Sequence, residues 1–76
     1  MSIAEKHMAN GQTKLDEFDL SMAAFYFETA AEEYVKSNDF SSAVVAYEKV
    51  LYCFELDEQT ERVGEIKNLI KKLKNK

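Results

Sequence analysis

Seventy-six residues with no proline, two glycines and a net charge of −4 bound this protein to one small domain, residues 1–76, and a chain this short buries only about 60% of the surface it exposes when unfolded. The abundance of Ala, Glu, Lys and Leu favours helix almost throughout, so the fold class is all-α. A single histidine and a single cysteine exclude an internal disulfide and leave neither a metal-ligand set nor a nucleophile and base pair.

No apolar run approaches the roughly 18 residues of a membrane span, and no cationic leader precedes an apolar segment. A cytoplasmic location is therefore the expectation. Residues 1–66 carry all fourteen acidic groups against five basic ones, whereas the last ten residues hold Lys67, Lys71, Lys72, Lys74 and Lys76 and no acid. The acidic body repels a phosphate backbone and argues against nucleic-acid binding. The terminal lysines suit the negative end of a helix dipole.

In chain order, Ser2-Ile3-Ala4-Glu5 has the form of a capping box, and Asn10-Gly11 reads as a helix end, since Gly readily takes the left-handed conformation. These signals predict a short or frayed helix over 1–12, with His7 as a surface side chain. Leu15, Phe18, Met22 and Phe25 then recur at steps of three and four, and predict one long helix over 14–37. A break near Asp19 to Ser21 is the alternative, because Asp and Ser are good caps. Ser37-Asn38-Asp39 ends this pattern, with Asp39 as N-cap of a helix over 40–56. The intervening turn is short enough to force an antiparallel hairpin. Asp57 caps a last helix over 58–74, whose Val63, Ile66, Leu69, Ile70 and Leu73 form one apolar stripe. Gly64 is a weak point in it without an evident reason.

The predicted core is Phe27, Ala30, Ala31 and Tyr34 from one side of the hairpin, Phe40, Ala43, Tyr47 and Val50 from the other, and Ile66, Ile70 and Leu73 from the covering helix. The paired alanines let the two helices approach closely. Cys53, between Tyr52 and Phe54, is expected to be a buried, inert thiol.

The order Phe27, Ala30, Ala31, Tyr34, Ala43, Tyr47 resembles one tetratricopeptide repeat, with Phe27 in place of its Trp, Ala30 of Leu, Ala31 of Gly and Tyr47 of Phe. Val50 and the missing proline depart from that pattern. The resemblance implies a TPR-like antiparallel hairpin plus a C-terminal capping helix, three to four helices in all. Ala31, Phe40, Ala43 and Tyr47, with the IKNLIKKLK end, are also similar to an MIT domain, which would recruit helical tails of membrane-remodelling proteins.

A non-catalytic interaction module, acting as adaptor, chaperone or inhibitor without a cofactor, follows as the functional expectation. A lone repeat cannot bury both its faces, so residues 1–20, a second copy of the chain or another protein must close the open one. The TPR resemblance implies peptide contacts from Phe25, Glu28, Glu32, Val35 and Lys36, and the two glutamates favour a basic or amphipathic helix as partner. Phe25, Tyr26 and Phe27 point about 100° apart on a helix and one small bundle cannot bury them all, so either the N-terminal segment folds back over Phe25 or Tyr26, or one side is an interface, with Phe18, Met22 and Phe25 as a second candidate surface. A structural homo-oligomer that pairs this aromatic face with itself is the remaining alternative.

Overall fold

The computed structural model describes residues 2–76, which form four helices: α1 Ile3–Asp16, α2 Leu20–Lys36, α3 Phe40–Leu56 and α4 Thr60–Lys74. Each packs antiparallel on its neighbour in sequence, α1 on α2, α2 on α3 and α3 on α4. The result is a slab with extents of 31 × 30 × 12 Å. The all-α hairpin with a covering C-terminal helix is thus observed, with a further full helix in front of it.

Three-residue turns join all four helices, and they share one construction. Phe18, Asn38 and Glu58 each adopt positive φ, at 59°, 61° and 58°. In the first turn the Phe18 N–H bonds to the Leu15 carbonyl and the Asp19 N–H to the Lys14 carbonyl, at 2.9 and 2.8 Å. The same pair of bonds recurs from Asn38 and Asp39, and from Glu58 and Gln59. This is the Schellman motif, which satisfies the last carbonyls of a helix through a left-handed residue. The residue that completes each motif also caps the next helix. Asp19 accepts from the Met22 N–H and Asp39 from the Ser42 N–H, whereas Gln59 makes no side-chain cap bond.

The helices therefore start at Leu20, Phe40 and Thr60, a spacing of twenty residues that is visible as Asp19-x-Ser21-x-Ala23 and Asp39-x-Ser41-x-Ala43. Two expected boundaries are corrected by it. The long helix over 14–37 is broken at Glu17–Asp19, close to the alternative break, and α4 is capped at Gln59 because Asp57 closes α3 instead.

A third correction concerns the first helix. The capping box forms as expected, Ser2 Oγ accepting from the Glu5 N–H and Glu5 Oε1 from the Ser2 N–H, both at 3.1 Å. The Ser2 N–H and hydroxyl hold the Glu5 carboxyl below its ordinary pKa. The helix then runs through Gly11 rather than ending there. Gly11 is buried, and a Cβ on it would lie 2.7 Å from Phe27 Cδ1 and Cε1. Its missing side chain is what lets α1 sit against the Phe27 ring.

The core is one cluster. Ala23, Ala24, Phe27, Ala30 and Ala31 of α2 meet Ala43, Ala46, Tyr47, Val50 and Cys53 of α3, and Ile66, Ile70 and Leu73 of α4 close the cluster. Of the predicted core, Tyr34 and Phe40 are only partly buried at its edge, with Lys76 Nζ 5.5 Å from the Phe40 ring centroid. Met8 and Leu15 pack on the cluster from α1. Residues 3–16 thus take up the apolar face that the hairpin leaves open.

Candidate functional site

α1 covers Tyr26 but not Phe25. His7, expected at the surface, is half-buried, with its ring stacked 6.1 Å from that of Tyr26. Phe25 meets Tyr26 edge-on at 5.6 Å and projects outward. Phe18, Met22 and Phe25 stay 68%, 38% and 57% exposed. Met22 and Phe25 are one turn apart on α2, and Phe18 lies in the turn that introduces the helix. Three large apolar side chains therefore cluster at one pole of the slab.

The other proposed contact residues divide. Glu32 and Lys36 continue the outward strip of α2 beyond Phe25, since the steps Met22, Phe25, Thr29, Glu32, Lys36 are three, four, three and four. Lys36 pairs with Glu33 at 3.5 Å. Val35, expected on the groove side, packs against the core instead. Glu28 turns sideways to α4, where both its oxygens accept from Arg62 Nη2 at 3.1 and 3.4 Å.

Arg62 is the residue that reading the sequence overlooks. Its guanidinium also lies 4.9 Å from the Phe54 ring centroid, and its Nε is 3.4 Å from a Glu65 carboxylate oxygen without the alignment of a hydrogen bond. One side chain thereby ties α4 to α2 and α3. Glu28 and Arg62 are 34 residues apart in sequence, beyond the reach of any helical spacing rule.

Between α2 and α4 runs a cleft of about 310 Å³, lined by Ser21, Ala24, Phe25, Glu28, Phe54, Asp57, Gln59 and Arg62. It joins the exposed Phe25 to the α3–α4 turn. Tyr47 lies in the core, and its phenol pKa is pushed up by burial, with Glu32 and Glu28 adding to the shift. A larger cleft of about 550 Å³ at the opposite pole is lined by Ser2, Glu5, Glu33, Tyr34, Asp39 and Ser42, among others. Its polar groups already serve the fold. Ser2 and Glu5 cap α1, Asp39 caps α3 and Glu33 pairs with Lys36.

Neither cleft brings together a reactive set. The one cysteine, Cys53, is fully buried among apolar side chains, and this burial raises its pKa despite the opposing charge of Lys49. No three His, Cys, Asp or Glu side chains among the described residues are grouped so as to hold a metal ion. No helix among them is long and apolar enough to cross a membrane.

Fold and surface together define a small four-helix all-α domain, compatible with TPR-like and with MIT-like helical folds. No protein-family model matches the chain, and no curated protein and no solved structure matches it either.

Proposed function

We propose that this protein is a non-catalytic interaction module that docks a helix or peptide of another protein on the outward face of α2, centred on Phe18, Met22 and Phe25. The observation that carries the reading is the state of Phe18. A bulky aromatic at φ 59° sits where Gly or Asn is ordinarily found, at a cost of about 1–2 kcal/mol, and it still leaves 68% of its surface in water. Neither stability nor solubility accounts for such a residue. Aromatic and Met side chains beside one another are the usual anchors of protein interfaces.

Within this reading the domain is TPR-like. Glu28 of α2 reaches Arg62 of α4, and Ser2 to Glu5 of α1 share a cleft with Asp39 and Ser42 of α3. Alternate helices thus lie on the same side, as in a two-layer repeat. An MIT-like reading accommodates α2, α3 and α4 but leaves α1 as an addition. Action as an adaptor, chaperone or inhibitor in the cytoplasm is consistent with this surface.

The test uses the full chain as bait in extract of its native host, beside a Met22→Ser, Phe25→Ser variant. Both positions are exposed, so the variant should keep the wild-type melt. A protein retained by the wild type and lost with the variant is the expected result. Identical retained sets would refute the role of this face. Sedimentation separates the structural homo-oligomer, for which the wild type alone would be dimeric at micromolar concentration.

A further inference from the structure

We infer that the occupant of the Phe18 patch is a cationic amphipathic helix, selected by a ring of carboxylates at this pole rather than by the Glu28 and Glu32 side of α2. The inference rests on the interaction reading above and adds to it the chemistry of the partner. The two turns at this end place Asp16, Glu17 and Asp19 on one side and Asp57, Glu58 and Glu61 on the other. Asp57 and Gln59 line the same cleft as Ser21 and Phe25, so Asp57 borders the aromatic patch directly, with Glu58 and Glu61 following it in the turn and the first turn of α4.

The cations at this end are already engaged. Lys14 pairs with Glu17 at 3.3 Å, and Arg62 pairs with Glu28. Because Arg62 neutralises Glu28 and Lys14 neutralises Glu17, the acidic character of the patch comes from Asp16, Asp19, Asp57, Glu58 and Glu61. Helix dipoles do not reverse it, since two helices begin at this pole and two end there, and their fields offset one another. Lys71, Lys72, Lys74 and Lys76 lie at the far end of α4.

This charge pattern decides between occupants. Anionic headgroups and nucleic-acid phosphates would be repelled from the patch. A second copy of this chain offers lysines on α4, but Ile66, Ile70 and Leu73 of that helix are buried in its own core and only Leu69 is left exposed. Its exposed apolar strip, Val45, Tyr52 and Leu56 on α3, is flanked by the acidic Glu48 and Glu55, so apolar anchors and lysines do not share a face. A helix with apolar residues on one face and Lys or Arg on its flanks supplies both requirements, the anchors and the countercharge.

The experiment titrates isotope-labelled full-length protein with a Leu/Lys amphipathic helical peptide and, separately, with its Leu/Glu counterpart, following backbone amides by NMR. The Leu/Lys peptide should shift the amides of Phe18, Met22 and Phe25 together with Asp57 and Glu58, and the Leu/Glu peptide should not. The variant Asp57→Asn, Glu58→Gln, Glu61→Gln should keep the wild-type melt and bind the Leu/Lys peptide at least about threefold more weakly at low salt, mainly through slower association. Equal binding of both peptides at Phe18 would overturn charge selection while leaving the interaction face standing. Shifts confined to Lys67–Lys76 with the Leu/Glu peptide would assign an acidic partner to α4 instead. Failure of either peptide to move Phe18, Met22 or Phe25 would overturn the inference and the interaction reading together, most directly if raising the protein concentration alone shifts those amides.

Discussion

The same substitution, Gly to Ala, should have opposite consequences at the two glycines. In a helix interior Ala is favoured over Gly by about 1 kcal/mol. At Gly64, where an added Cβ has nothing within 4 Å, that gain is realised in full and should raise the melting temperature by about 4–8 °C. At Gly11 the added Cβ would lie 2.7 Å from Phe27 Cδ1 and Cε1 and 3.0 Å from Cζ, against an ordinary contact of 3.4–4 Å. Phe27 is fully buried at the centre of the core, so its ring has no solvent to retreat into. Overpacking of this kind costs about 1–3 kcal/mol, which cancels the propensity gain or exceeds it by up to about 2 kcal/mol. Urea denaturation of both variants, followed by helical circular dichroism, should place Gly64→Ala above Gly11→Ala by about 1–3 kcal/mol with unchanged slopes. Coincident midpoints for the two would refute the close approach of α1 to Phe27, and with it the docking of residues 3–16.

Three further outcomes follow from the same contacts. Ala31 is fully buried at the α2–α3 crossing, so Ala31→Leu should cost about 1–3 kcal/mol in a thermal melt, and an unchanged melt would remove it from the crossing. A double-mutant cycle of Glu28→Gln and Arg62→Gln should give a favourable coupling of about 0.2–1 kcal/mol, because the pair is partly exposed at 30% and 43%, and a coupling of zero would show that α4 is not tied to α2 by charge. Burial raises the Cys53 pKa from its ordinary 9.0, so above that value the unfolded chain binds fewer protons than the folded one and stability must fall as pH rises through the folded pKa. Tyr47 adds to the fall from 10.0 upward, and Cys53→Ala should flatten the first part of the slope in denaturation series run from pH 8 to about 10. A slope unchanged by that substitution would mean that the thiol is not titrating in this range.

Most of the core was legible from periodicity, because Phe27, Ala30, Ala31, Ala43, Tyr47, Val50, Ile66, Ile70 and Leu73 all recur at helical steps and all are buried. The Ser2–Glu5 capping box was legible for a local reason, since both its bonds span three residues. The α1–α2 turn was hidden because its left-handed position holds Phe18, where a Gly or Asn would have announced it. Conversely, Asn10-Gly11 imitates a helix stop, whereas the use of that glycine is a packing contact with Phe27 sixteen residues away. The twenty-residue recurrence of Asp-x-Ser-x-Ala was the available signal for the true boundary. Of the contact surface, the 100° spacing of Phe25, Tyr26 and Phe27 showed that they could not all be buried in one small bundle, but that α1 covers Tyr26 and leaves Phe25 exposed depends on where α1 docks. The diversion of Glu28 to Arg62 and the inward turn of Val35 depend on where α4 sits, which no local pattern encodes.

Phe18→Gly tests the central claim most directly, because glycine accepts the left-handed backbone without strain while removing the exposed ring. If Phe18 is kept for binding at the expense of stability, the variant should be more stable than the wild type by about 1 kcal/mol, and it should lose the partner that the wild-type chain retains. A variant that is destabilised, or one that binds as well as the wild type, would contradict the claim.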